Sequence, residues 1–295
     1  MNNSPLISVL ILNWNRLEDT KRAIDSVLTQ TYSNIEIILI DNASTEVGTN
    51  TLKTLYPQIE YHQLDKNYGC PGGRNIGIKL CKGEFIFFVD NDGILEKNAI
   101  KNAYNIFTAR KNVGIVAGKV VYQQSLDGEL KTPEIKGISY YKAAFSGGVT
   151  MHRKSIYDKI GMFNDDFMYG HEETNLSMRI ITINQYVYYS DNIILWHKEA
   201  DSARNKSANF VSTYSNKLVT YWELLPPKQY LIFTLYYLLK YPVDCFKNDC
   251  LLLFIKKLPD TFMRVIRARK NSKIKLTSKD HKTFRHLQLN TPSEI

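Results

Sequence analysis

Short runs of consecutive apolar residues recur in the first third of the chain, and they limit its fold more than any other feature. Residues 7–12, 35–40 and 85–89 are such runs, and residues 59–64 form a weaker one. An uninterrupted apolar run of this length is typical of a strand buried on both faces. Residues 17–28 carry apolar side chains at helical spacing, and a second helix is predicted from Arg74 to Leu80. The alternation predicts βαβ units and an α/β, Rossmann-like fold with a mostly parallel sheet flanked by helices.

The pattern is looser after Ile94, but it still alternates. Residues 113–121, 145–151, 186–189 and 193–197 are predicted strands. Residues 99–107, 154–160, 174–181 and 214–225 are predicted helices.

Polar residues follow three of the predicted strands at the point where each strand ends. They are residues 13–15, 41–44 and 90–92. In open α/β sheets, ligands bind in the crevice beyond the carboxyl ends of the strands. We therefore expect these clusters, which are far apart in sequence, to meet at one crevice.

The triplet Asp90, Asn91 and Asp92 is the strongest candidate for a metal site. Two carboxylates at positions i and i+2 in a turn can face one point, and Mg²⁺ commonly takes one or two carboxylates together with substrate phosphates. The alternative is an ordinary turn, because Asp and Asn favour turns. His197 ends another apolar run, where it is either a metal ligand or a satisfied hydrogen-bonding group.

Two glutamates, Glu172 and Glu173, precede a predicted apolar helix. Acidic residues favour the positive end of a helix dipole, so they have a structural interpretation. The functional interpretation is that one of them is a general base toward an acceptor hydroxyl.

The glycine-rich residues 69–74 form a predicted loop before a helix. Such a loop can hold phosphates through its backbone N–H groups. It does not match the dinucleotide-binding fingerprint, which needs G-x-G-x-x-G directly after a strand.

The charge of the chain is concentrated at its C-terminal end. Residues 1–202 hold 21 Lys and Arg against 23 Asp and Glu, whereas residues 203–295 hold 17 against 6. Apolar runs at 230–239 and 251–255 are shorter than the roughly 20 residues of a membrane-spanning helix. This basic helical extension is expected to pack on the protein or a partner copy, or to lie on an anionic membrane. Beyond Lys270 the polar composition predicts a mobile end.

Other properties of the sequence bear on location and partners. Residues 1–5 lack the basic start of a secretory signal, and the four cysteines show no paired spacing. We therefore expect a cytoplasmic protein with free thiols, either unattached or peripheral on the inner face of the cell membrane. Nucleic acid is not an expected partner, because no recognised binding module accompanies the charge. Association into a homo-oligomer is left open.

Taken in order, several segments resemble the family-2 glycosyltransferases of the GT-A fold. The resemblance extends from about residue 8 to residue 203 and fails beyond it. The matching segments are residues 7–16, 26–32, 38–45, 67–69, 73–77, 88–92, 161–163 and 172–179, with His197 and Ser202.

The resemblance implies a division of the chain. Residues 1–203 would form the catalytic domain, with a nucleotide-binding part at about 1–95 and an acceptor part at about 96–203. Residues 204–295 would form the extension.

The resemblance also assigns roles on the donor side. Asp41 would bind the nucleotide base with Asn13 beside it, and Arg74 would lie near the nucleotide. The remaining donor-side assignments concern the predicted metal turn. Asp90 would contact the ribose or support the metal, and Asn91 would belong to the nucleotide-binding residues. Asp92 would bind Mn²⁺ or Mg²⁺, with His197 as a further ligand.

On the acceptor side, Glu173 takes the position of the general base, with Glu172 as the less favoured alternative. The family usually has aspartate there. The extra methylene of glutamate moves the carboxylate by about an ångström, and a misplacement of that size can cost about 100-fold in rate.

The implied activity is metal-dependent, inverting, non-processive transfer of a sugar from a nucleotide-diphosphate donor. The acceptor would be a glycan, lipid-linked or peptide group, as in bacterial surface polysaccharide synthesis. No Q-x-x-R-W motif of the processive synthases is present. The alternatives are a non-catalytic sugar-nucleotide or glycan-binding module of the same fold and a sugar-nucleotide pyrophosphorylase. The latter would need a glycine-rich basic loop after the first strand, where residues 13–16 stand instead.

Overall fold

The computed structural model describes residues 4–131, 133–198 and 206–290. The first part of the chain forms four parallel strands in the order β3-β2-β1-β4. Their bounds are β1 Ile7–Asn13, β2 Ile35–Asp41, β3 Glu60–Gln63 and β4 Phe85–Asp90. This confirms the parallel βαβ arrangement predicted from the apolar runs.

Five more strands complete the sheet. They are β5 Gly93–Leu95, β6 Val113–Gln123, β7 Ser139–Lys142, β8 Val149–Arg153 and β9 Tyr186–Lys198. The sheet continues from β4 through β8, β6 and β9 to β5, and β7 pairs with β9. Within the described residues, β5, β7 and β8 run opposite to the other six strands. The sheet is therefore mostly parallel in direction, with antiparallel strands inserted in its second half.

Helices cover both faces of the sheet, which explains why the strands are apolar throughout. The helices of this part are α1 Leu17–Leu28, α2 Leu52–Leu55, α3 Gly69–Leu80, α4 Ala99–Ala109, α5 Ile156–Ile160 and α6 Glu172–Ile181. In β1, Val9 and Ile11 join the core that contains α1 and α4. The intervening Leu10 joins the core that contains α3 and α6. Successive strand residues point to opposite faces, so both sets must be apolar.

Several predicted boundaries differ from the structure. The predicted glycine-rich loop is largely helical, because α3 begins at Gly69 and not at Arg74. Small residues there allow close packing, since a Cβ on Gly73 would lie 2.6 Å from Leu12 Cδ1. The predicted strands at 186–189 and 193–197 are one continuous strand, β9. The predicted strand at 145–151 begins later, at Val149.

The basic extension is helical, as predicted. It consists of α7 Lys206–Leu224, α8 Pro227–Lys247, α9 Leu251–Asn271 and α10 Ser278–Leu289. None of the described helices is long and apolar enough to cross a membrane. The expectation of a mobile end beyond Lys270 is wrong for the described residues, because Thr277 and Asp280 form a capping box that starts α10. Residues 291–295 lie outside the described ranges. The predicted domain boundary at residues 203 and 204, and Ser202, lie outside the described residues.

The extension packs on the sheet-containing part of the chain, residues 4–198, through α6. Met178 and Ile181 of α6 share an apolar cluster with Leu224 of α7 and Phe284 of α10. The helices α7, α8 and α9 form a further core, which also contains Phe167 from the segment before α6. The extension therefore has an interior independent of the sheet and one face docked on the helix that begins with the predicted base.

Candidate active site

The predicted polar clusters meet at the carboxyl edge of the sheet. Asn13 and Asp41 are paired neighbours at the ends of β1 and β2. Asp90 ends β4 directly beside Leu12. The convergence follows from parallel pairing, because residues at the ends of adjacent parallel strands must lie side by side.

Asp90, Asp92 and His197 form a cluster that can hold a metal ion. One ligand atom from each lies within 4.8 Å of the others. His197 Nε2 is 3.0 Å from Asp92 Oδ1 and 3.8 Å from Asp90 Oδ2. The histidine reaches the carboxylates because β9 pairs with β5 and sets His197 opposite Gly93, the residue after Asp92.

The donor atoms of this cluster fit a divalent cation. His197 Nδ1 lies 2.6 Å from the carbonyl oxygen of Lys198, which can only accept, so Nδ1 carries a proton. In the neutral ring, Nε2 then presents a lone pair to the two carboxylates. A lone pair that faces two carboxylates is repelled unless a second proton on the ring or a bound cation lies between them. Histidine together with carboxylates is a common ligand set for metal ions.

The same interactions affect the protonation of His197. Burial disfavours the charged imidazolium, but the hydrogen bond to Asp92 and the charges of Asp92 and Asp90 outweigh it and raise the pKa of His197. The carboxylates therefore attract positive charge to this point in the absence of a metal.

Arg16 is a fourth member of the cluster. Its guanidinium donates a hydrogen bond to Asp92 Oδ2 and extends a partly exposed cation toward the crevice. Sequence reasoning placed Arg16 only within the segment that follows the first strand and gave it no role in the site. A cation at this edge can also pair with a phosphate, because an arginine fork matches phosphate oxygens.

Arg74 links the metal cluster to the predicted base. Its side chain is 7% exposed, with Nη2 3.1 Å from Asp90 Oδ1 and Nη1 3.6 Å from Glu173 Oε1. A buried guanidinium requires such partners, since an unpaired buried charge is costly. Arg74 therefore holds the two carboxylates at a defined separation.

Glu172 and Glu173 begin α6. This position agrees both with a general base at the crevice and with acidic residues that stabilise the start of a helix. Burial and the neighbouring Glu172 carboxylate raise the pKa of Glu173 to about 7, against the lowering effect of Arg74. Burial also raises the pKa of Glu172, which is 3% exposed. Its Oε2 has no hydrogen-bond partner among the described residues. The Glu173 side chain is 21% exposed, so it is the more accessible carboxylate of the two.

Asn13, Asn91 and Asp41 belong to one hydrogen-bond network. Asn91 Nδ2 donates to Asn13 Oδ1 at 2.9 Å, and Asn13 Nδ2 donates to Ser44 Oγ at 3.3 Å. Asp41 accepts from the Ser44 N–H and from the Tyr61 hydroxyl, both at 2.9 Å. Asn13 and Asp41 are fully buried. They shape the floor of the crevice, and direct contact with a nucleotide stays a prediction for them.

Two glycines complete the site, and sequence reasoning assigned them only to a strand of small residues. A Cβ on Gly147 would lie 2.5 Å from Arg74 Nη1 and 2.8 Å from Glu173 Oε1, and one on Gly148 would overlap the Asp90 carboxylate. They lie there because β8 pairs with β4, so the chain before Val149 runs past the end of the Asp90 strand. In the sequence, only the fact that the two glycines are adjacent could have indicated that the chain passes close to other groups here.

Comparison with known proteins agrees with this geometry. The family described as Glycosyl transferase family 2 matches residues 8–170, which is more than half of the 295-residue chain. The chain belongs to glycosyltransferase family 2. It is therefore a glycosyltransferase, and the pyrophosphorylase alternative is not supported.

This family-2 glycosyltransferase has relatives in several bacteria. An uncharacterised glycosyltransferase of Rickettsia typhi is 29% identical over 217 residues, which cover 70% of this chain and 67% of that protein. The poly(ribitol-phosphate) β-N-acetylglucosaminyltransferase TarP of Staphylococcus aureus is 35% identical over 118 residues. That match covers 38% of this chain and 36% of TarP.

Solved structures show that this glycosyltransferase has the GT-A fold. GalNAc-T7, crystallised with UDP, GalNAc and Mn²⁺, gives a TM-score of 0.63 at 15% identity, covering 76% of this chain and 49% of that one. S. aureus TarS 1–349 in complex with UDP-GlcNAc gives 0.56 at 18% identity, covering 72% and 66%. The likeness confirms the predicted fold.

Proposed function

We propose that this chain is a metal-dependent, inverting, non-processive glycosyltransferase that uses a nucleoside-diphosphate sugar. The observation that carries the proposal is the cluster of Asp90, Asp92 and His197, joined through Arg74 to Glu173. It sets a cation site and a carboxylate base on two sides of one buried guanidinium. A donor and an acceptor hydroxyl bound between them would meet at this point.

The metal site would be formed by Asp90, Asp92 and His197. A bound Mn²⁺ or Mg²⁺ supplies Lewis-acid stabilisation of the negative charge on a leaving diphosphate. Arg16 supports the same charge, because its guanidinium lies against Asp92 and is partly exposed. That GalNAc-T7 was crystallised with UDP and Mn²⁺ supports this assignment.

The transfer is a single displacement. The acceptor oxygen forms a bond to the anomeric carbon of the donor sugar, and the bond from that carbon to the diphosphate oxygen breaks. The hydroxyl proton goes to the Glu173 carboxylate, and the nucleoside diphosphate leaves as an anion. One displacement inverts the anomeric configuration, and Glu173 needs no partner nucleophile.

Glu173 is proposed as the base in preference to Glu172. Its carboxylate is the more exposed, and Arg74 fixes its direction toward the Asp90 side of the crevice. Burial and the charge of the neighbouring Glu172 raise the pKa of Glu173 to about 7, which suits a general base near neutral pH.

The proposed acceptor is a hydroxyl of a bacterial surface glycan, with lipid-linked and peptide acceptors as the alternatives. The relative TarP is named for transfer to poly(ribitol-phosphate), and TarS was crystallised with UDP-GlcNAc. These names make UDP-N-acetylhexosamines the first donors to test.

The testing experiment is calorimetric titration with a panel of nucleoside diphosphates, with and without Mn²⁺ or Mg²⁺. We expect one nucleotide to bind with metal, and Asp92→Ala to abolish the metal dependence. The control is Asp127→Ala, which removes an exposed aspartate outside the site. If no nucleotide binds the native chain, the proposal is overturned. Tight binding without turnover or donor hydrolysis would instead indicate a non-catalytic module.

A further inference from the structure

Helix α8 carries an apolar stripe on the side that faces away from the rest of the protein. Its residues follow each other at intervals of three or four, which places them along one side of a helix. The stripe consists of Ile232, Leu235, Leu239, Val243 and Phe246, which are 50% to 71% exposed. The opposite side of the helix, with Tyr237 and Tyr241, is buried in the core of the extension.

Helix α9 repeats this arrangement. Leu252, Ile255, Met263 and Ile266 form its exposed stripe at the same kind of spacing, opposite the buried Phe254 and Val265. Of the 22 large apolar side chains that are exposed within the described ranges, 12 belong to α8 and α9. Soluble monomers seldom concentrate exposed apolar surface in this way unless something covers it.

The charge beside these two exposed stripes indicates what covers them. Residues 227–271 hold nine Lys and Arg against three Asp and Glu. Exposed cations, including Lys240, Lys247, Lys256 and Arg267, follow the apolar residues along both helices. A second copy related by a two-fold axis would bring the same cations toward each other. Anionic lipid headgroups would neutralise them, and an apolar stripe flanked by lysine and arginine is typical of helices at a membrane surface.

We propose that the exposed stripes of α8 and α9 dock on an anionic lipid bilayer. The apolar side chains enter the boundary between headgroups and acyl chains, while the lysines and arginines pair with the headgroup charges. The attachment is peripheral, since it uses helix faces and no spanning segment. It is independent of the proposed donor and metal chemistry, because it involves none of the residues of the crevice.

The experiment is vesicle co-sedimentation of the full chain. Vesicles of phosphatidylglycerol mixed with phosphatidylcholine are compared with phosphatidylcholine alone, at low and high salt. The test variant is Leu235→Asp with Leu239→Asp, and the control is Val47→Asp with Leu55→Asp, two exposed apolar residues of the catalytic part. Thermal unfolding of every variant shows that its fold is retained.

The expected result is salt-sensitive binding to the anionic vesicles only. The test variant should bind about 100-fold more weakly, since it removes two leucines and each one buried contributes about a factor of ten. The control should bind like the native chain. Indifference to anionic lipid overturns the proposal, as does binding that the test variant leaves unchanged. A dimer that forms without lipid and dissociates in the test variant, measured by light scattering, would assign the stripes to a second copy.

Discussion

At the scale of single residues, the site works through pairs of groups that change each other's protonation and position. Arg74 contacts Asp90 on the metal side and Glu173 on the base side, so movement of either carboxylate affects the other. His197 is held by the Lys198 carbonyl with Nε2 toward the two aspartates. These contacts place the proposed metal ligands and the proposed base on two sides of the Arg74 guanidinium.

The first prediction concerns the pH dependence of turnover. Glu173 must be ionised to accept a proton, and its pKa is raised to about 7, so kcat should rise with pH through about 7 and then level off. Glu173→Gln should abolish turnover. Glu172→Gln removes a neighbouring negative charge, lowers the pKa of Glu173, and should move the rise to lower pH. The profile of kcat against pH for the three proteins measures this, and an unchanged profile in Glu172→Gln would contradict the coupling.

The second prediction concerns Gly148. An added Cβ would overlap the Asp90 carboxylate, which must then move away from Asp92 and His197. Gly148→Ala should therefore weaken Mn²⁺-dependent nucleotide binding and lower kcat, by about 100-fold if the carboxylate moves by about an ångström. Gly114→Ala, in β6 and distant from the site, is the matched control. Equal metal affinity in the two variants would show that Asp90 does not need its present position.

At the scale of elements, close packing of α3 on the sheet gives the site its rigid floor. A Cβ on Gly73 would lie 2.6 Å from Leu12 Cδ1, and one on Gly77 would overlap Leu10. The helix can approach β1 this closely because the residues that face Leu12 and Leu10 are Gly73 and Gly77, which have no side chains. That approach brings Arg74, between the two glycines, to the end of β4.

The third prediction follows from this packing. Gly77→Ala overpacks the contact with Leu10, which usually costs about 1–3 kcal/mol, and gains about 1 kcal/mol in helix propensity. The net expectation is a decrease of up to about 2 kcal/mol in the free energy of unfolding. Urea denaturation measures the change. Lys79→Ala on the exposed side of the same helix should stay within about 0.5 kcal/mol of the native value. Stabilisation by Gly77→Ala would mean that α3 and β1 are less tightly packed than described.

At the scale of the whole molecule, the extension holds the segment that leads into the base. Asn216 of α7 donates to the carbonyl oxygens of Tyr169 and Gly170 at 3.0 and 2.8 Å. Arg264 of α9 donates to Asn216 Oδ1 at 2.7 Å and to the carbonyl oxygen of Asp166 at 3.0 Å. The extension is thus joined to the segment before Glu172 and Glu173, which we propose as the acceptor side of the site.

The fourth prediction tests this connection. Asn216→Ala removes the donor to the Gly170 carbonyl and the acceptor of Arg264, whereas the Tyr169 carbonyl keeps the Ser212 hydroxyl as a donor at 3.0 Å. An unpaired buried group costs about 1–3 kcal/mol, and the loss of its partner loosens the approach to α6. We expect kcat to fall while nucleotide affinity is retained. The residues proposed to bind the nucleotide and metal lie at the ends of β1, β2, β4 and β9, away from this contact. The measurements are steady-state kinetics and nucleotide titration. Asn209→Ala on the same helix is the control, and a loss of nucleotide affinity equal to the loss of kcat would contradict the division of roles.

Local patterns in the sequence were sufficient for much of the fold and part of the site. Strands β1, β2 and β4 were predicted because burial on both faces makes them apolar throughout, and α1 was predicted from its apolar spacing. The positions of Asp90 and Asp92 followed from the end of an apolar run. The structural comparisons confirm the predicted α/β fold of the GT-A type. The predicted helical extension is present as α7 to α10.

Only the tertiary structure decided which distant segments complete the crevice. Gly148 reaches Asp90 because β8 pairs antiparallel with β4, and His197 reaches Asp92 because β9 is one long strand that pairs with β5. Arg16 was assigned no partner until its contact with Asp92 was seen. The spacing of apolar residues in a segment shows which of its faces are buried, so it can be found from that segment alone. Pairing depends on two segments at once, so neither segment records it.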